Sequence, residues 1–319
     1  MRLLTKLLVS LAMVLPISAH AADGRIVKVI VPYAPGGNID SLARLYAQQA
    51  AKILNETWII ENVAGANGTI GSKQVAAAKP DGNTLLFSAD VHSVATLVMK
   101  NVPYDPIKDF TPISMVATAP LVLVVNPDKV KANTLTELVA AVKAAPNDYS
   151  FANSSLGSSP HMGAEMFQQK TGTKVLQVLY KGTGPAIVDL VGGHVNMMFV
   201  SPVAAMQLVR SGKLKALAMT SPKRFESAME VPTTAEAGMP DFIILNSYGF
   251  WGPKGMPKET LDRLSATFRQ ASQAPELSER LLKIGASATW TSPNDFSKHI
   301  QNEFHTSSAI FKSAGVKPE

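Results

Sequence analysis

The segment with the clearest chemical potential is Tyr33-Ala34-Pro35-Gly36-Gly37-Asn38-Ile39-Asp40, which follows a β-rich run. Paired glycines permit a tight turn with positive φ and leave backbone N–H groups exposed. A helix starting there would aim unpaired N–H donors and a partial positive charge beyond the strand end, which favours an anion. The alternative is an ordinary strand-to-helix turn in which Asp40 complements the helix dipole.

The device recurs in the second half of the chain. Asn153-Ser154-Ser155-Leu156-Gly157-Ser158-Ser159-Pro160-His161 holds a good N-cap, Ser159, and a good first helical residue, Pro160. Its other hydroxyls exceed what one cap needs. Thr183-Gly184-Pro185 follows Tyr180-Lys181, and Ser201-Pro202 follows the apolar run VNMMFV. Each Ser-Pro pair alone is only a cap, but three hydroxyl-bearing helix starts in one region predict a cradle for a carboxylate or phosphate. Carboxylate is favoured, because there is no G-x-x-x-x-G-K-[ST] loop and these segments carry no Arg. Lys181 is the one basic residue at a strand end, facing either a ligand or solvent. In Ser88-Ala89-Asp90-Val91-His92, Asp90 either caps a helix or receives a ligand's cationic or hydroxyl group.

Catalytic readings are weak. Gly65, Gly68 and Gly71 have the wrong spacing for a dinucleotide site. There is no G-x-S-x-G elbow and no H-E-x-x-H. His92, His161, His194, His299 and His305 form no i, i+4 pair, and a Ser158/His161 couple has no third group to orient it. No metal site and no cofactor are expected. Trp58, Trp251 and Trp290 are expected in the core.

These residues need strands and helices to position them, and the chain alternates between the two. Ile26–Tyr33, Trp58–Val63 and Thr84–Ser88 have strand patterns, separated by helical spacing over Asp40–Leu54 and Thr69–Lys79 and followed by it over His92–Lys100. The pattern restarts with a long β-rich run, Met115–Val125, and a capping box at Thr134/Glu137. Strands follow at Tyr149–Ala152, Val175–Tyr180, Val195–Val200, Leu214–Thr220 and Phe242–Trp251. Three helices begin near Pro257, Pro275 and Ser292-Pro293. The order predicts an α/β fold of two doubly wound parallel lobes around a cleft, with ligand beyond the strand C-termini. The strands near 115–125 and 214–220 are the natural crossings. Lobe one is then 22–122 with 222–319, and lobe two 123–221.

Composition sets the frame. The 319 residues are 46% hydrophobic and 17% charged, which excludes intrinsic disorder. No Cys is present, so disulfides, thiolate metal sites and a cysteine nucleophile are excluded. Arg2 and Lys6, an apolar stretch Leu7–Ile17 and the small-x-small site Ala19-His20-Ala21 predict a cleaved export signal over 1–21. The formal charge of +6 becomes +4 without it, mild and scattered, with no nucleic-acid footprint.

The sequence resembles the Bug family of periplasmic solute receptors, which serve tripartite tricarboxylate transporters. The likeness spans about 28–316 and rests on VPYAPGGNIDSLARLYA, IIENVAGANGTIGSKQVAAAKPDGNTLLFS, VPYDPIKDFTPIS, SSPHMGAEMF, YKGTGPAIVDLVGGHVNMMF, GKLKALAMTSPKR and VPTTAEAGMPDF. The resemblance implies a Venus-flytrap fold of periplasmic binding protein type II, two lobes joined by two crossing strands. It implies that Tyr33–Gly37 and the turn before the Ser159 helix act as jaws on a carboxylate, and that a membrane permease is the partner. A monomer and a periplasmic location are expected. The sequence departs from the family at Ala34, where Pro is common, in its serine-rich loop 153–158, and at Asp90 and His92, where small neutral residues are usual. The acid favours a ligand with an amino or hydroxyl group. Alternatives are a receptor for another transporter or a sensor kinase, or a periplasmic carboxylate-processing enzyme.

Overall fold

The computed structural model describes residues 24–318, so the expected export signal over 1–21 lies outside the described residues. The first lobe begins with β1 (Ile26–Val31), α1 (Asn38–Leu54), β2 (Thr57–Asn62), α2 (Thr69–Ala76) and β3 (Thr84–Ala89). α1 buries Leu42, Leu45, Tyr46 and Ala50 along one face, as its 3.6-residue spacing requires, and ends at Asn55 with φ 53°. The helix expected over 92–100 is only a 3₁₀ turn at Asp90–His92 and one short helix, α3 (Ala95–Val98). His92 is buried there in an aromatic box, too constrained to continue a regular helix.

The long β-rich run divides into β4 (Phe110–Pro120) and β5 (Val122–Val125), which lie in different sheets, so the chain crosses at Leu121. The second lobe continues through α4 (Leu135–Ala144), β6 (Ser150–Asn153), α5 (Ser159–Thr171), β7 (Leu176–Leu179), α6 (Thr183–Val191), β8 (Met197–Val200), α7 (Pro202–Arg210) and β9 (Lys215–Met219). The Thr134 hydroxyl accepts the Glu137 N–H at 3.1 Å, and the Glu137 carboxylate accepts the Asn133 N–H at 2.7 Å. The chain returns through β10 (Leu245–Pro253), then α8 (Lys258–Ser272), α9 (Pro275–Lys283), β11 (Ser287–Ala288) and α10 (Pro293–Ser313).

The sheets are mixed, not wholly parallel. Sheet one has the order β11-β4-β10-β3-β1-β2 and sheet two β7-β6-β8-β5-β9. β10 runs against β3 and β4, and β5 against β8 and β9. The direction follows from the crossings. The parallel strands end at the cleft, so a strand arriving from the other lobe enters at that end and must run the opposite way.

The second crossing also lies later than 214–220. The Met219 N–H donates to Pro232 O at 2.7 Å, and the Thr234 N–H to Met219 O at 2.8 Å. Phe242 and Ile244 are buried in the core of sheet two, with Phe242 stacked on Phe199 at 5.5 Å. Residues 222–244, assigned to lobe one by sequence, therefore pack with lobe two. Two large side chains, each worth ~1.5–3 kcal/mol of burial, hold them there.

α10 joins the lobes a third time. Phe296 and Ile300 pack with Trp251 in lobe one, while Ile310 and Phe311 pack with Val98 and with Met162 of α5. Gln169 of α5 donates to Ile310 O at 3.1 Å and to the Ser313 hydroxyl at 2.7 Å. Among the described residues no helix is long and apolar enough to cross a membrane.

Candidate functional site

A cavity of about 430 Å³ lies between the lobes, where the parallel strands end. Lobe one lines it with Tyr33, Gly37, Asn38, Ile39, Asn67, Ala89, Asp90, Val91, Asn246 and Tyr248. Lobe two contributes Ser154, Ser155, Ser158, Ser159, Pro160, Thr183, Val200, Ser201 and Ala204, and the crossing residue Leu121 completes the wall. The starts of α1, α5, α6 and α7 thus converge on one space, each with partly positive N–H groups. Among the described residues the walls hold hydroxyls, amides, two phenols and the Asp90 carboxylate, but no Lys, Arg or His.

The first turn works differently from its glycine pattern. The Gly36 N–H donates to the Asp40 carboxylate at 2.9 Å, so this donor is taken. Asp40 also accepts from Arg44 Nε at 3.0 Å and Asn62 Nδ2 at 2.9 Å, and Asn62 donates to Tyr33 O at 3.1 Å. Burial alone would raise the Asp40 pKa, but these donors outweigh it and hold the carboxyl below its ordinary value. Asp40 is the internal brace of the turn. Ala34, Pro35 and Gly36 are exposed outside the cavity wall, and Gly37, Asn38 and Ile39 face the space. Gly68, at φ +89°, allows the loop before α2 to approach Tyr33, whose hydroxyl would lie 3.0 Å from a Cβ there. Asn67, at φ 50°, thereby reaches the wall.

Asp90 is only 6% exposed and lies at the lobe junction. Its carboxylate accepts the Val91 N–H at 2.8 Å and the Ser159 hydroxyl from the opposite lobe. Burial pushes its pKa up to about 6, against the lowering effect of Ser159 and the Val91 and Ser247 N–H groups. Behind it, Ser247 and His299 Nε2 are 2.9 Å apart, and Glu303 lies 3.9 Å from His299. Burial, and then the Asp90 charge, raise the Glu303 pKa well above its usual range. Burial raises the phenols of Tyr33 and Tyr248 as well, so both remain neutral donors.

Four other expected site residues, Ser88, His161, Tyr180 and Lys181, are placed elsewhere, and so is His92, one of the departures from the family pattern. Ser88 is fully buried beneath the wall. His161 accepts the Gly157 N–H at 3.2 Å, lies 3.6 Å from Glu165 and stacks on Phe311 at 5.2 Å. The Tyr180 hydroxyl donates to Asp189 at 2.8 Å, and Lys181 is exposed. His92 lies 4.6 Å from the Phe110 ring and 5.2 Å from Trp251, and burial lowers its pKa to about 3. Ser158 is the N-cap of α5 in place of Ser159: its hydroxyl accepts the His161 N–H at 3.4 Å and donates to Ser155 O at 2.8 Å. That frees Ser159 to reach Asp90. Sequence reasoning missed Asn246, Tyr248 and Leu121, which arrive through the crossings and carry no local signal. Asn38 and Ile39, read from sequence as part of the turn before a helix beginning at Asp40, form the first residues of α1 and line the wall. Among the described residues no group of three or more acidic or histidine side chains could hold a metal ion.

Two α/β lobes, crossing strands and a polar cleft lined by helix N-termini define a solute-binding protein of the periplasmic type. Residues 42–316 match the tripartite tricarboxylate transporter family receptor, and the chain belongs to that family. Protein BugT of Bordetella pertussis is 36% identical, over 95% of this chain and 93% of that protein. The periplasmic binding protein BugD superposes with a TM-score of 0.78 at 34% identity, over 92% of this chain and 99% of that one. Rpa4515 of R. palustris with adipate gives 0.82 at 30% identity, over 92% and 99%. MatC of Rhodopseudomonas palustris with bound malate gives 0.76 at 30%, over 90% and 98%.

Proposed function

We propose that this receptor works in the periplasm, captures a small carboxylate between its lobes and hands it to a membrane permease, acting as a monomer without turnover. The observation that carries this is the convergence of four helix starts on one cavity of about 430 Å³ whose walls, among the described residues, hold no basic side chain. Such a wall meets a small anion with N–H dipoles and hydroxyls, which let go more readily than a buried Arg. The adipate held by Rpa4515 and the malate held by MatC support the ligand class. The contacts fall to Tyr33, Gly37, Ser154, Ser155, Ser159 and Ser201, joined by Asn38, Thr183 and Tyr248. A receptor role fits the state of the hydroxyls too, since Ser158 serves as a cap and His161 faces Glu165.

Native mass spectrometry of the purified protein should find a small carboxylate, and a carboxylate panel should raise its melting temperature. A response to sugars alone would refute the reading. Thr183→Val, which removes one lining hydroxyl at nearly constant volume, should weaken binding about 5–15-fold, the worth of one lost hydrogen bond of ~1–1.5 kcal/mol. Unchanged affinity would move the anion away from the start of α6.

A further inference from the structure

We infer that Asp90 selects an aminocarboxylate, its carboxylate binding an ammonium group while the helix starts of α1, α6 and α7 bind the ligand's own carboxylate. The inference rests on the carboxylate reading above and narrows it.

Among the described residues Asp90 is the one formally charged side chain in the cavity wall. None of the ion pairs among the described residues involves it. A carboxylate offers about four acceptor positions, and neutral donors from Val91, Ser159 and the Ser247 N–H occupy three of them, leaving one open. The groups packed around it supply no cation. Tyr33 and Tyr248 are neutral phenols, Ser159 is a hydroxyl, and Glu303 is a second acid. His299, the nearest base to Glu303, is disfavoured as a cation by burial.

A buried carboxylate without a counter-charge is costly, and it is relieved by a proton or by a cation. An ammonium entering the cavity is such a cation and brings up to three donors. A second ligand carboxylate at the same place would meet like charge, and among the described residues the cavity has no Lys or Arg to offset it. The asymmetry of the site therefore matches a ligand with opposite charges at its ends.

The test is calorimetric titration of the full mature protein at pH 7.5 with length-matched pairs: 4-aminobutyrate against succinate, 6-aminohexanoate against adipate, and alanine against propionate. At least one amino ligand should bind ten or more times tighter than its partner, with no proton taken up when buffers of different ionisation enthalpy are compared. Asp90→Asn should erase that preference, while Lys181→Ala, which removes an exposed charge outside the cavity wall, should keep it. Should Asp90→Asn fold poorly, the proton count and the ligand-pair titrations on the folded mature protein still decide. Dicarboxylates binding as tightly as amino ligands, or binding with uptake of a proton, would overturn the inference and leave the carboxylate reading standing. Binding of no carboxylate at all would overturn both.

Discussion

Two aspartates illustrate how environment, not residue type, assigns a role. Asp40 is surrounded by donors and braces the first turn, and Asp90 is surrounded by neutral groups and a second acid. Their pH behaviour is opposite. The Asp40 carboxyl is held below its unfolded value, so its stabilisation is present above about pH 4 and is lost as pH falls through the folded value. Asp90 is raised to about 6, so its contribution is fullest below about pH 4 and is lost as pH rises through 6. Asp90→Asn should therefore raise the melting temperature of the ligand-free protein at pH 7.5, with the gain vanishing near pH 4. An equal shift at both values would mean that the charge of Asp90 is not what matters. At this scale the helix-start hydroxyls were legible, because caps are local chemistry. The fate of the Gly36 N–H was not, because it depends on Asp40, Arg44 and Asn62 meeting in space.

At the scale of elements, the hinge gathers on Thr220. Its hydroxyl accepts the Leu121 N–H at 2.8 Å and donates to Ile244 O at 2.6 Å, and its backbone N–H donates to Leu121 O at 2.8 Å. One fully buried residue thus pins both crossings where they leave their sheets. Thr220→Val keeps the volume and strands two buried backbone groups, which should cost ~1–3 kcal/mol each in urea unfolding. A loss under 0.5 kcal/mol would show that the hydroxyl is not the pin. Element order and most helix spans were legible from periodicity, with the Thr134 cap on the Glu137 N–H formed as its motif predicts and the return bond of Glu137 made to Asn133. The crossing point was not, because β9 ends like any strand and only contacts in space, the Met219 bonds to Pro232 and Thr234 and the burial of Phe242 and Ile244, show that the chain stays with lobe two.

Across the whole molecule, opening of the cleft must contend with α10. Its first turns belong to the core of lobe one, and Phe311 near its end stacks on His161 of lobe two. The lobes therefore cannot swing freely about the two strands: separation on the α5 side exposes Val98, Met162, Ile310 and Phe311 together. Phe311→Ala should lower stability by ~3–5 kcal/mol and enlarge the ligand-free radius of gyration by small-angle scattering. A loss of stability with no change in radius would assign Phe311 to packing alone. No sequence signal announced this strap, since α10 reads as one amphipathic helix and not as the property of two lobes.

The place of β10 has a consequence in time. It lies between β3 and β4 in sheet one, yet it is supplied by residues 245–253, far later in the chain than either neighbour. Until it arrives, both of those strands present bare, apolar edges of the kind that recruit other chains. Sheet two, whose strands all lie between Val122 and Met219, has no such wait. A nascent or translocating chain can therefore pair sheet two while the edges of β3 and β4 stay open, and it is sheet one that is at risk of wrong partners until residues 245–253 are made.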